Sequence, residues 1–131
     1  MKAVPRTLSL LAGLLAVAVI SCEGPAEPVP GALQAELVSP DGDNGAAVLE
    51  FSGAAISRVT PTEGMAYSNQ VGDVTRVVVI LDTPGRISLE LSVDDINTPP
   101  AATVLEVADG NNQLRSALSG YTVRYTMVAQ Q

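Results

Sequence analysis

Residues 74–93 read VTRVVVILDTPGRISLELSV, which is two apolar segments with a turn between them. The unbroken apolar run at residues 77–81 is typical of a strand that is covered on both faces. From residue 87 to 93, apolar and polar residues alternate with the period of two that a half-buried strand shows. Pro84 and Gly85 suit the central positions of a type II turn. The region therefore predicts two strands joined by a tight turn.

The same period of two continues on both sides of this region. Residues 33–37 (LQAEL) and 47–52 (AVLEFS) alternate apolar and polar positions, and residues 39–45 between them are dense in turn formers. Shorter extended segments are predicted at residues 56–60, 103–108 and 121–128. Residues 112–118 are a helical candidate of one or two turns, with Leu114 and Leu118 at i and i+4. The frequent turns predict an all-β sandwich of about seven to nine strands.

The order of these segments resembles the cohesin-like branch of the immunoglobulin-like sandwiches. The resemblance rests on LQAEL (33–37), VLEF (48–51), VVVIL (77–81), PG (84–85), ISLEL (87–91) and VLEVADG (104–110). It implies a single sandwich with a binding-type role. No individual functional residue carries over from it.

The first residues have the pattern of an export signal. Lys2 and Arg6 precede an uncharged run at residues 7–20, whose length suits the apolar core of a secretory signal. As a helix, this run would span about 21 Å, which is short of the roughly 30 Å hydrocarbon layer of a membrane. Residues 1–21 are therefore predicted to be a signal peptide that is removed.

The end of this segment, VISC at residues 19–22, resembles the lipobox of bacterial lipoprotein precursors. The resemblance implies cleavage between Ser21 and Cys22 and attachment of diacylglycerol to the Cys22 thiol. Two alternatives stay open. The AVA at residues 16–18 is also a site for the ordinary signal peptidase, or the segment is an uncleaved anchor.

A proline-rich spacer follows the single cysteine. Residues 22–31 contain three prolines, which disfavour helix and sheet and predict a stalk. Residues 32–131 are long enough for one domain. Glu23 stands where enteric lipoproteins retained in the inner membrane tend to carry Asp, so the resemblance favours the outer membrane of the cell envelope.

Charge and composition argue against several classes of function. From Cys22 onward, five arginines stand against fourteen acids, which leaves a charge of −9 and makes a nucleic-acid partner improbable. The chain has no His and no Trp, and Lys2 is its only lysine. These absences argue against histidine-based catalysis and zinc clusters. We expect no enzyme activity, no cofactor and no metal.

Three acidic segments are candidates for metal-binding or catalytic sites. DGDNG at residues 41–45 begins like a calcium loop but lacks the later ligands of that motif, so a hairpin turn is the preferred interpretation. Asp94 and Asp95 would point to opposite faces of an extended chain, which favours a role in capping the exit of a strand. DGNN at residues 109–112 is interpreted as a turn, with weak calcium binding as the alternative.

The predicted function is a lipid-anchored envelope lipoprotein whose acidic sandwich is a non-catalytic binding or structural module. The membrane, through the lipid on Cys22, and an unidentified protein are the expected partners. A protein-binding role predicts an exposed apolar patch or an open sheet edge. The alternatives are a carbohydrate or solute binder, which needs exposed tyrosines, and a carboxylate-based hydrolase accessory domain. Tyr121 and Tyr125 are expected in the core or an interface.

Overall fold

The structure, a computed structural model, describes Gly24 and residues 26–129. The described residues form eight β-strands and no helix. In chain order these are β1 (Gly31–Val38), β2 (Asn44–Ser52), β3 (Ile56–Pro61), β4 (Met65–Val71), β5 (Val74–Gly85), β6 (Ser88–Val93), β7 (Ala101–Asp109) and β8 (Thr122–Met127).

The strands form two antiparallel sheets of four strands each. The first sheet has the order β3-β6-β1-β8 and the second has the order β4-β5-β2-β7. The two sheets pack face to face as a β-sandwich, which confirms the predicted fold class and the strand count. The finer resemblance to cohesin-like domains stays a prediction.

The chain crosses from one sheet to the other at every connection except the one between β4 and β5. β1 pairs with β6 and β8, whereas β2 pairs with β5 and β7. The hairpin predicted at residues 41–45 is therefore wrong, because this turn carries the chain between sheets. The tight turn predicted at Pro84 and Gly85 is wrong for the same reason. β5 continues through Gly85, and the chain then passes to β6 in the other sheet.

The core lies between the two sheets and is almost entirely aliphatic. Phe51 is its one fully buried phenyl ring. The buried apolar side chains alternate along each central strand, for example Leu33, Ala35 and Leu37 on β1. Each fully buried aliphatic or aromatic side chain contributes about 1.5–3 kcal/mol. Because no disulfide can form with a single cysteine, this packing supplies the stability of the domain.

Several local predictions meet a different outcome. The helical candidate at residues 112–118 is wrong, since Leu114 instead forms an isolated bridge with Ala108 beside β7. β4 was not predicted, because its sequence MAYSNQV contains few strong strand formers. The expectation that residues 77–81 are covered on both faces is also wrong. Val77, Val79 and Leu81 are buried, whereas Ile80 is 42% exposed.

The predicted signal peptide, the cleavage position between Ser21 and Cys22, and the lipidation of Cys22 lie outside the described residues. The boundaries of the stalk and the domain stay predictions. The structure shows the end of the predicted stalk in contact with the sandwich, where the carbonyl of Val29 accepts a hydrogen bond from the Ile96 N–H at 2.8 Å.

Candidate functional site: the outer face of the second sheet

The outward side of the second sheet is built from cross-strand rows that begin on β4. One row runs from Met65 through Ile80 and Ala46 to Ala108. Because residues directly opposite in antiparallel strands point to the same side, these side chains form a continuous apolar surface. Leu114, bridged to Ala108, extends the row beyond β7.

The second row continues this surface, whereas the third row, which contains Asn69 and Arg76, is polar. The adjacent row contains Tyr67, Val78 and Val48 and ends at Glu106. The hydroxyl of Tyr67 lies 3.7 Å from the sulfur of Met65, so the first two rows are in contact. Farther along, Val71 lies opposite Val74 at the hairpin end. We call the outward apolar side chains of β4, β5 and β2, together with Ala108 and Leu114, the apolar face.

The apolar face concentrates the exposed hydrophobic surface of the described residues. Seven large apolar side chains in this part of the chain are exposed, and five of them belong to the apolar face. These five are Met65, Tyr67, Val71, Ile80 and Leu114. Scattered exposed apolar residues are normal on a protein surface, whereas these five lie on one side of one sheet.

The outer face of the first sheet is polar by comparison. It presents Gln34 and Glu36 from β1, Glu90 from β6 and Arg124 from β8. The Gln34 amide donates hydrogen bonds to the hydroxyls of Ser88 and Thr62, and Arg124 pairs with Glu36 at 2.9 Å. This outer face has the ordinary composition of a solvated sheet, so the apolar character of the second sheet is not a general property of the protein.

One ion pair crosses the apolar face. Arg76 of β5 lies opposite Glu50 of β2, and the guanidinium is 2.8 Å from the carboxylate. Glu106 on β7 and Asp82 on β5 add two carboxylates on the same side, by the alternation of the strands. Carboxylates therefore outnumber cations on this side of the second sheet.

A shallow groove lies along β4 and β5 on this side. It has a volume of about 380 Å³, and its lining includes Tyr67, Val71, Val74, Arg76 and Val78. Tyr67 is 58% exposed, which makes it the one tyrosine of the described residues that faces a groove with a largely open ring. No pattern in the sequence indicates this position of Tyr67, because β4 contains few strong strand formers.

The two tyrosines predicted to be core or interface residues are packed inward. Tyr121 is buried, and its hydroxyl donates to the carboxylate of Asp41 at 2.9 Å. Tyr125 is half-buried, and its hydroxyl donates to the carbonyl of Pro100 at 2.8 Å. Burial raises the pKa of Tyr125 to about 12. The core interpretation of both residues is confirmed.

The acidic segment at residues 41–45 contributes to the structure of one end of the sandwich. Besides the bond from Tyr121 to Asp41, the guanidinium of Arg115 donates to the carbonyls of Asp41 and Asp43 at 3.4 and 3.2 Å. These contacts join the turn before β2 to the chain that follows β7. Nowhere in residues 26–129 do three potential metal ligands come together as a group that could hold an ion.

Asp94 and Asp95 follow the end of β6, and the chain bends there. Both line one groove with Asp73, on a chain that is not extended as the sequence interpretation assumed. The capping role is confirmed for Asp95, whose carboxylate accepts hydrogen bonds from the Asn97 N–H at 3.0 Å and the Thr98 hydroxyl at 3.0 Å. Backbone hydrogen bonds from Asn97 and Val29 lower the pKa of Asp95.

The segment at residues 109–112 is a turn, as predicted. The carboxylate of Asp109 accepts hydrogen bonds from the backbone N–H groups of Gln113 and Asn111 at 3.0 and 2.8 Å. These bonds lower the pKa of Asp109. A catalytic acid of a hydrolase needs a raised pKa, so Asp95 and Asp109 are suited to holding turns rather than to donating protons.

The comparisons with known proteins add no assignment. No protein family matches the chain, and neither a curated protein nor a solved structure matches it. Among the residues that the structure describes, no helix is long and apolar enough to cross a membrane.

Proposed function

We propose that the protein is a lipid-anchored component of a bacterial cell envelope and that its sandwich is a non-catalytic module that binds another protein. The observation that supports the binding role is the contrast between the two outer faces. Removing the apolar face from water would stabilise a complex by about 25 cal/mol for each Å² of apolar surface buried. The polar face of the first sheet offers no such gain.

The charge of the module favours a protein over a lipid surface as the occupant of the apolar face. Surfaces that insert into bilayers combine apolar side chains with Lys and Arg, which attract anionic headgroups. Beyond Arg6, this chain has no lysine, and from Cys22 onward it carries a charge of −9. An anionic membrane would repel this domain, whereas a partner protein with an apolar centre and cationic surroundings complements it.

Photo-crosslinking in intact cells tests the binding role. A photoreactive residue replaces Val78 on the apolar face or, as the matched control, Glu90 on the polar face. We expect the yield of protein adduct from position 78 to be about tenfold higher than the yield from position 90. Ile80→Asp in the same chain should remove most of it. Equal yields of protein adduct from both positions, or membrane lipids as the main product at position 78, would contradict the proposal.

The anchor is tested separately. The mature protein extracted from membranes should have lost residues 1–21 and should carry acyl chains on Cys22. Cys22→Ser should move the protein to the aqueous phase of a detergent partition. A water-soluble wild-type product that begins at Val19 would show ordinary secretion instead.

A solute-binding role is the second candidate, and Tyr67 in the groove beside β4 is the observation that favours it. Aromatic faces in a groove are suited to stacking against sugars and other flat ligands. Tyr67→Ala would then abolish binding of a soluble ligand, and position 78 would give no protein adduct.

A further inference from the structure

The four strands at the sheet edges differ in how they are protected against pairing with another chain. β3 carries Arg58, ends at Pro61 and contains a register shift against β6. β8 carries Arg124, and β7 is partly covered by the bridge between Ala108 and Leu114. Charges, prolines, bulges and covering segments are the usual means by which proteins protect sheet edges.

β4 has none of these protections. Its seven residues MAYSNQV contain no charge and no proline. They pair with β5 without a register shift, from Met65 opposite Ile80 to Val71 opposite Val74. A regular, uncharged edge strand presents unpaired backbone N–H and C=O groups in the geometry that an additional strand requires.

Carboxylates stand at both ends of this edge. Glu63 lies two residues before β4 and Asp73 two residues after it, and both are exposed. Asp73 shares its groove with Asp94 and Asp95. Glu63 shares a groove with Arg86 and with Glu36, which is already paired with Arg124. A segment with positive charge at both ends complements this pattern.

The two sides of β4 also differ in chemistry. Met65, Tyr67, Asn69 and Val71 point outward, and the three apolar ones belong to the apolar face, while Ala66, Ser68 and Gln70 alternate with them. Side chains of an added strand would lie about 4.5–5.5 Å from these neighbours. An apolar residue of the added strand therefore fits beside Met65, Tyr67 and Val71, and small residues fit at the other positions.

We propose that the edge of β4 accepts an extended segment of the partner protein, uncharged in its centre and flanked at both ends by Lys or Arg, as an added β-strand. This inference rests on the proposed binding role and specifies its partner. A second copy of the chain fits less well, because antiparallel pairing of two β4 strands would bring Glu63 of each copy toward Asp73 of the other.

A synthetic peptide tests the proposal. Its centre is seven alternating Thr and Val residues, and two lysines flank it on each side. Binding to the full-length protein is measured by fluorescence anisotropy. We expect the same peptide flanked by glutamates to bind at least tenfold more weakly. Glu63→Lys and Asp73→Lys should each weaken binding of the lysine peptide about threefold to tenfold. Glu90→Lys is the matched control, because it changes the net charge equally but lies on the polar face. It should weaken binding less than twofold.

N-methylated peptides show whether the backbone is used. Because a strand pairs through every second amide on one side, methylation of one alternate set should abolish binding. Methylation of the other set should leave the affinity within about threefold of that of the unmodified peptide. No binding of the unmodified peptide, or equal binding of the two methylated ones, would overturn the proposal. If the position 78 adduct persists in that case, the partner occupies the apolar face without adding a strand. If the adduct fails as well, the binding role itself is wrong.

Discussion

The carboxylate of Asp95 accepts a hydrogen bond from the backbone N–H of Val29 over a distance of 3.2 Å, and this bond ties the chain before β1 to the turn after β6. The return bond from the Ile96 N–H to the Val29 carbonyl closes the contact. Pro28, one residue earlier, lines the same groove as Asp73 at the tip of the β4–β5 hairpin. Pro28 and Val29 therefore lie beside one end of the proposed docking edge.

We expect the carboxylate of Asp95 to stabilise the folded state at neutral pH and to lose this contribution in acid. The hydrogen bonds from Asn97 and Val29 hold the pKa of Asp95 below its usual value of 3.8. A carboxyl group with a lowered pKa in the folded state stabilises the fold above its unfolded pKa, and this contribution is lost as the pH falls from about 4 downward. In urea unfolding between pH 7 and pH 2, Asp95→Asn should show a smaller loss of stability on acidification than the wild type.

Asp94→Asn is the matched control for this prediction. Within the described residues, no hydrogen-bond donor contacts the carboxylate of Asp94, whereas the carboxylate of Asp95 accepts three hydrogen bonds. The acid dependence of Asp94→Asn should therefore follow the wild type. An acid profile of Asp95→Asn that coincides with the wild type would show that the cap contributes nothing to pH dependence.

We expect the folded state to lose stability in alkali when the hydroxyl of Tyr125 ionises. Burial raises the pKa of Tyr125 to about 12 from its ordinary value of 10.0. Because a raised pKa favours the neutral phenol in the folded state, this contribution is complete below pH 10 and is lost as the pH rises toward 12. In an absorbance titration of tyrosinate, Tyr125→Phe should lack the late transition, while Tyr67→Phe should retain it.

The Tyr125→Phe variant should also be less stable at neutral pH. It loses the hydrogen bond to the Pro100 carbonyl, which contributes about 1 kcal/mol. Urea unfolding at pH 7 measures this difference. A wild type without a late tyrosinate transition would contradict the burial of the hydroxyl.

The turns at the two ends of β4 differ in their tolerance of a side chain. Gly64 and Gly72 both have positive φ, at 74° and 64°. A Cβ at Gly64 would overlap the carbonyl oxygen of Ile80, whereas a Cβ at Gly72 would meet open space. Gly72→Ala should cost about 1–2 kcal/mol from backbone strain alone. Gly64→Ala should cost about 1–3 kcal/mol more, because β4 must shift away from β5.

Hydrogen exchange identifies where the strain acts in these two variants. In Gly64→Ala, the amides of β4 should lose protection, while those of β1 and β6 in the other sheet should keep it. Equal free energies of unfolding for the two variants would contradict the close approach of Gly64 to Ile80.

Phe51 predicts the largest effect in the core. Its ring is fully buried between the sheets, next to Thr75 and Ala102 on the flanking strands. Phe51→Ala should lower the free energy of unfolding by about 3–5 kcal/mol, since it removes apolar contacts and leaves a cavity. Met127→Ala, at a position that is 64% exposed, should change it by less than about 0.5 kcal/mol. Denaturant unfolding distinguishes the two outcomes, and a loss below about 1 kcal/mol for Phe51→Ala would contradict this core.

The alternation of apolar and polar residues predicted the strands that bury one of their two faces. The alternation in β1, β2 and β6 identified the inward residues, among them Leu33, Leu49 and Leu89, because a strand exposes opposite faces at successive residues. The pattern failed at β4, whose Ser, Asn and Gln residues have weak strand preference. β4 is extended because it pairs with β5, and a sequence window does not contain that partner.

The apolar face had a signal in the sequence that was interpreted differently. The continuous apolar run at residues 77–81 predicts that neighbouring elements cover both sides of the strand. The structure covers only the side of Val77, Val79 and Leu81 and leaves Val78 and Ile80 facing outward. An unbroken apolar run with one uncovered side is a feature that a partner would complete.

The amino-acid sequence alone established an all-β domain, its acidic charge and the inward residues of its main strands. These depend on composition and on a period of two, which are local properties. Only the tertiary structure decided which strands are neighbours, and therefore which outer face is apolar and which edge is open. β1 pairs with β8 across about ninety positions, as in Glu36 opposite Arg124. Such pairings follow from the packing of two whole sheets and not from the residues on either side of a turn.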